Sequence, residues 1–466
     1  MRLPEQLRQA CSTEQTDFSP SDVRRAEARR LRKHYVPSKH ALATIAFVMV
    51  WLPTGAAAAQ QSARPVDVRG EVSVLGLTMP NQPEGGATHE LRSRARIEVT
   101  ADPSSWLRLK FEGTVDGLVA DRRGRVDDVV ARAREAWIEV RGTRAEVRLG
   151  YGRLAWGRLD EIQPSDVLNP LETSTYFLEG RAEARLPITF VRGRVFLTDE
   201  TSIETVVSLP GRRGRFDALD EPSSPFNLLN DLVLPAVAVD NLDRREPAAS
   251  WSSLQVGGRV STTVGRVDAS VSAYRGYEPF GTLSLEPLVT PGAAGPLVVG
   301  RLVERYSRFT MVAADAETVV GPWAIRGEAA YFPDRQVTGA FGAIEGQAFD
   351  IGMGVDRAAG DYRVFTSVVW HRDWTTAGPE LVNNDLSLIG SVERRFSRDR
   401  YLVRVFGVAN PVDESGFVRG VVAWTVRDNV SVEGSGGVFM GSDTGTDTLS
   451  RFRNRDFAFA RLRWYF

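Results

Sequence analysis

Beyond residue 60, apolar and polar residues take turns along the chain, and no apolar run approaches the ~20 residues that a membrane-crossing helix needs. Val66, Val68, Val72 and Val74 share one parity, while Asp67, Arg69, Glu71 and Ser73 share the other. Leu91, Ala95, Ile97 and Val99 alternate with Arg92, Arg94, Arg96 and Glu98, and the same period returns at Val267–Tyr274 and Phe349–Asp356. A helix would scatter these charges around its circumference, whereas a strand sorts them onto two faces. The chain therefore reads as all-β, and a helical membrane protein is excluded. Its 466 residues carry 58 basic and 59 acidic side chains, so no cationic excess points to nucleic acid. A single cysteine, Cys11, excludes a disulfide framework, a CxxC pair and a cysteine zinc site.

The connectors divide into two kinds. Short turns are expected at Ala101–Ser104, Arg141–Arg144, Gly265–Arg266, Gly321–Pro322, Ala358–Asp361, Ser397–Arg400 and Arg427–Asn429. Longer links rich in Gly, Pro and Asp fall at 78–89, 117–130, 152–180, 210–249, 278–303, 333–345 and 441–454. Short connections at one end and long ones at the other are what a transmembrane up-and-down antiparallel β-barrel produces. With the N-terminus on the short-turn side, about 18 strands follow, with 16 the next choice. Trp106, Trp251, Trp323, Tyr331, Trp370, Tyr401 and Trp464 fall near expected strand ends, as interfacial girdles require. A soluble sandwich or propeller would show disulfides or a repeat period, and neither is present.

The first 59 residues read as an address. Ala41–Leu52 is an apolar run too short to span a bilayer, preceded by Arg29, Arg30, Arg32, Lys33 and Lys39 and followed by Ala56–Ala59. That order is a secretory signal peptide, with cleavage expected after Ala59. The stretch ahead of the apolar run is long for a signal, so translation is expected to start downstream of Met1. The division is then a leader, residues 1–59, and a barrel, residues 60–466, in the bacterial outer membrane.

If the apolar parity faces lipid, the other faces the lumen, where charge is tolerated. Candidate lumenal residues are Arg92, Arg94, Arg96, Glu98, Arg108, Lys110, Glu112 and Arg148, with Glu328, Asp350, Arg419, Glu433 and Arg461 on later strands. The ladder Arg92–Arg94–Arg96 could meet Arg108 and Lys110 across the next hairpin and so select anions. Alternatively, the arginines pair with Glu71, Glu98, Glu112 and Glu146 on adjoining strands and stabilise the wall. The second reading fits better, because lumenal acids nearly match lumenal bases.

Residues 147–172, VRLGYGRLAWGRLDEIQPSDVLNPLE, differ from their surroundings. The set Arg148, Gly150, Arg153, Trp156, Gly157, Asp166, Asn169 and Pro170 resembles a motif of bacterial outer-membrane barrels of the alginate-export-like and substrate-selective porin-like group. The sequence departs from that pattern at Tyr151-Gly152. The terminal Phe466, on a face shared with Trp464 and Leu462, resembles the signal such barrels present to their assembly machinery. The resemblance implies fold and location rather than a solute.

The longest link, 210–250, contains Phe226, Leu228, Leu229, Leu232, Val233 and Leu234, too apolar to hang freely in water. It either folds into the mouth and constricts it or packs on the rim. No HExxH, GxSxG or P-loop is present. His371, at an expected strand end near the rim, is the sole candidate for a general base of a lipid-modifying enzyme. Neither a catalytic residue nor a metal or cofactor site is therefore assigned. The expected function is passage of a polar solute or polymer through a charged lumen, in contact with outer-membrane lipid and lipopolysaccharide. The alternatives are an export portal with a periplasmic partner and a filled structural barrel.

Overall fold

The computed structural model describes residues 66–82, 88–122, 124–210, 213–231, 242–248, 250–292, 295–339, 342–376, 382–443, 445 and 447–466. The leader and its apolar run at 41–52 lie outside the described residues.

Strands β1 (Val66–Met79), β2 (Thr88–Ser104), β3 (Leu107–Asp121), β4 (Arg125–Arg141), β5 (Ala145–Gly152), β6 (Ile188–Phe196) and β7 (Thr201–Ser208) form the first part of the wall. After β8 (Leu242–Arg245), a short strand outside the wall, β9 (Gln255–Val264) and β10 (Val267–Tyr277) continue it. The hairpin of β11 (Thr282–Gly292) and β12 (Gly295–Arg305) pairs with β8 in a separate three-stranded sheet. The wall resumes with β13 (Arg308–Val320) and β14 (Trp323–Phe332), and β15 (Gln336–Gly339) only extends the edge of β16 (Gly342–Ala359). It ends with β17 (Tyr362–Thr375), β18 (Val382–Phe396), β19 (Tyr401–Asn410), β20 (Ser415–Arg427), β21 (Val430–Met440) and β22 (Phe457–Tyr465). Setting β15 aside, the 19-stranded sheet leaves eighteen strands in the wall among the described residues. Antiparallel pairing of β1 with β22, from Glu71↔Tyr465 to Thr78↔Ala458, closes it. Closure satisfies every edge, which a sheet in hydrocarbon requires.

The outer face is apolar, as the alternation predicts. Leu91, Ile97, Phe111, Val191, Val271, Ile351, Val405 and Leu462 are exposed, whereas their charged neighbours turn inward. Six of the expected short turns are found. The exception is Ala101–Ser104, which stays in β2 while the chain reverses at Ser105 and Trp106. The link expected at 117–130 is also strand: Gly117 pairs with Val129 and Leu118 with Asp128. The link at 278–303 carries the β11–β12 hairpin.

Gly70 and Phe466 make the last pair of the seam. Gly70 N donates to Phe466 O at 2.8 Å, and Phe466 N to Gly70 O at 3.0 Å. The Phe466 ring lies over Gly70, where a Cβ would come within 2.0 Å of the ring. Deleting Phe466 removes both bonds, about 2 kcal/mol at roughly 1 kcal/mol each. The truncated barrel should unfold at a lower urea concentration than Phe466→Ala, which keeps the bonds and loses only the ring. Equal midpoints would assign the seam to the ring instead.

Candidate functional site

The motif residues build a segment that leaves the wall. Gly150 has φ +143°, and its Cα packs so near β4 that a Cβ would lie 2.3 Å from Ala136 O. β5 stops at Gly152, and residues 153–187 turn into the lumen before β6 begins. A neck holds the two ends together: Leu154 N donates to Asn169 Oδ1 at 2.9 Å, Asn169 Nδ2 to Leu186 O at 2.6 Å, and Leu186 N to Pro170 O at 2.8 Å. Asp166 accepts from Trp156 N at 3.3 Å and from Arg185 Nε at 2.9 Å. Arg153 reaches back to the wall at Glu112 (3.1 Å) and Glu135 (3.2 Å).

From the neck the segment crosses to the opposite wall. Trp156 is buried, its Nε1 donating to Glu204 Oε1 at 2.8 Å and its ring meeting Tyr274 edge-on. Gly157, at φ +88°, sits where a Cβ would touch the Glu328 carboxylate. That carboxylate, on β14, accepts from Arg158 N, from Leu159 N at 2.5 Å and from Ser165 Oγ at 3.0 Å. Arg158 pairs with Asp315 (2.5 Å) and Glu317 (3.3 Å) on β13, and Asp160 with Arg326 (3.3 Å). Leu159 is buried with Phe365, Val369 and Ile389.

Two short helices complete the crossing, α1 (Thr173–Glu179) and α2 (Arg181–Ala184). Phe177 on α1 packs against Phe417, Phe439 and Phe452 at ring distances of 5.3, 4.9 and 4.8 Å. Glu172 pairs with Arg132 at 3.0 Å, and Glu179 with Arg94 at 3.0 Å and Arg461 at 3.5 Å. Burial alone would raise the Glu179 carboxyl, but the guanidinium groups of Arg94 and then Arg461 outweigh it and hold the group at about 2. The stability gained from this ionisation is present above the ordinary carboxylate range and is lost progressively as pH falls from there through about 2.

The expected selectivity residues all face inward and all are paired. Arg92 binds Glu90 and Asp217, each at 2.7 Å; Arg94 also binds Asp116 (2.5 Å), and Arg96 binds Glu112 (3.1 Å). Arg108 pairs with Asp102 (2.7 Å), Lys110 with Glu98 (3.3 Å), and Arg148 Nε with Glu139 (2.7 Å). The ladder does not meet Arg108 and Lys110: the register sets Arg92, Arg94 and Arg96 opposite Leu118, Asp116 and Thr114. Segment 153–187 crosses the lumen, with the described part of the longest link, 213–231, packed on it through Phe226 and Phe177. His371 lies on the lumenal parity of β17 rather than the lipid face, bonded to Asp350 and, at 3.4 Å, to Asp373.

Space remains beside the crossing. A cavity of about 650 Å³ is lined by Trp156, Arg158, Asp160, Arg194, Glu204, Arg259 and Glu317, with Thr201, Ser202, Ser261, Thr262 and Thr263 as a hydroxyl shelf. Arg194 has no carboxylate partner among the described residues; it donates to Ser202 Oγ at 3.2 and 3.1 Å and lies over Phe196. Sequence reasoning placed Glu328 in the lumen but gave it no task. Glu204 and Asp315 were missed, although strand parity was signal enough.

A closed antiparallel wall, apolar outside and charged within, with short turns at one end, defines a β-barrel of the bacterial outer-membrane type. No family model matches the chain, and no curated protein does. Among solved structures, OccAB3 of Acinetobacter baumannii shares 7% identity over 86% of this chain and 99% of its own, with a TM-score of 0.47. OccK2 (OpdF) of Pseudomonas aeruginosa, solved in complex with glucuronate, shares 10% over 86% and 97%, with a TM-score of 0.46. A loop-deletion mutant of OmpT, an outer membrane protein of Vibrio cholerae, shares 10% over 86% and 99%, with a TM-score of 0.40.

Proposed function

We propose that the protein is an outer-membrane channel for polar solutes whose bore is set by segment 153–187. The observation that carries this reading is the inward segment itself. It is fixed to opposite sides of the wall by Arg153 and by Glu328, yet leaves a charged, hydroxyl-lined cavity beside it. Such an arrangement limits size and sets the local field without any catalytic group. The same reading takes in lipid and lipopolysaccharide around the wall and recognition of Phe466 by assembly machinery. The motif carried by the segment is what resembles the substrate-selective porin-like group.

Residues 60–466, refolded into a planar bilayer, should give a small, steady conductance. Because the ladder arginines are paired, the reversal potential under a KCl gradient should stay close to zero. Arg194→Gln should shift it toward cations, since that guanidinium has no carboxylate neutralising it. A folded barrel without current would overturn the channel reading in favour of a filled structural barrel.

A further inference from the structure

The outer face at the short-turn end carries charge that the lumen does not explain. Trp323, Arg357, Tyr362, Arg394, Tyr401 and Trp424 all belong to the lipid-facing parity of β14 and β16–β20, close to that end. They are neighbours across the ladder: Trp323 pairs with Arg357, Tyr362 with Arg394, and Tyr401 with Trp424. The Arg357 guanidinium lies 4.7 Å over the Trp323 ring and that of Arg394 lies 5.0 Å over Tyr362. Neither has a carboxylate partner among the described residues. The carboxylates next to them in sequence, Asp356 and Glu393, point into the lumen, where Arg363 and Arg395 engage them.

Two uncompensated cations on a lipid-facing wall are costly in hydrocarbon and tolerable only at the interface. Stacking on a ring holds each guanidinium flat and leaves its edge N–H groups free, the geometry that grips a phosphate with two parallel bonds. Arg357 and Arg394 sit on strands that flank β17, opposite Val364 and Tyr362, so two strand spacings across and two residues along put their backbones about 12 Å apart. Short turns mark the periplasmic end of such barrels, which places the pair at the inner leaflet.

We propose that Arg357 and Arg394, each on its aromatic platform, form a binding site for the phosphodiester headgroup of anionic phospholipid. The site lies on the outer wall and is independent of what passes through the lumen.

The test is lipid retention by the folded barrel, released from vesicles of equal phosphatidylglycerol and phosphatidylcholine and read by native mass spectrometry. Wild type should retain phosphatidylglycerol preferentially, by about fivefold for each guanidinium. Arg357→Gln with Arg394→Gln should bring the ratio close to one. Arg398→Gln with Arg400→Gln removes as much charge from a turn at the same end and should leave the ratio high. A wild-type ratio of one overturns the proposal, as does an equal loss in the turn variant. Should the glutamine pair fail to refold, Arg357→Lys with Arg394→Lys keeps the charge and loses the planar fork. Its ratio should fall too, and an unchanged ratio would overturn the site.

Discussion

Glu328→Ala should raise single-channel conductance severalfold while leaving the barrel folded. Glu328 accepts from two successive backbone amides of the crossing segment, Arg158 N and Leu159 N, and from the Ser165 hydroxyl. Hydrogen bonds to an ionised group contribute roughly 1.5–3 kcal/mol each, so alanine leaves the turn at 157–165 several kcal/mol less firmly held. The rest of the segment has wall anchors of its own at Glu172, Phe177 and Glu179, so the loss should be local. Removing one negative charge beside Arg158 and Arg326 should also move the reversal potential toward anions. Asp356→Ala, which removes a lumenal carboxylate paired among the described residues only with Arg363, should shift selectivity without enlarging the bore. Unchanged conductance in Glu328→Ala would mean that the turn at 157–165 does not limit the pore.

The wall was legible because lipid outside and charge inside impose a period of two. That signal faded where strands outrun the membrane. Around 117–130, Gly117, Asp121, Asp127 and Asp128 look like a link, yet β3 and β4 stay paired through them, because a ladder above the bilayer need not keep an apolar face. The site was half legible. Its motif stood out, but nothing near 153–187 in sequence says whether the segment turns in or out. That is decided by Glu204, Asp315 and Glu328, up to 170 residues away. That the ladder arginines are paired was legible, but not all of their partners, for a related reason. Parity reveals partners on adjoining strands, as Asp116 is to Arg94, but Asp217 and Glu179 arrive from links, where parity has no meaning.

Gly150→Val should abolish most of the folded barrel, a larger effect than any lumenal substitution. At φ +143° a β-branched residue is strained before any neighbour is considered. Its Cβ would lie 2.3 Å from Ala136 O and 2.6 Å from Trp137 Cα, both backbone atoms of β4, so no side-chain rotation relieves the overlap. β5 would have to part from β4 over a pairing that runs only from Ala136↔Tyr151 to Arg141↔Glu146. Beyond it, the Leu154–Asn169 neck and Trp156 would lose their starting point. A loss above about 4 kcal/mol is the expected scale for strain and overpacking acting together. Gly193→Ala supplies the contrast: its Cβ would meet nothing within 4 Å, and it should change the unfolding free energy by no more than about 0.5 kcal/mol. The readout is the heat-modifiable fraction after refolding, followed by urea titration of that fraction. If Gly150→Val refolded like wild type, the close approach of β4 and β5 would not be what turns the chain inward. The bend would then have to come from Gly152 and the neck alone.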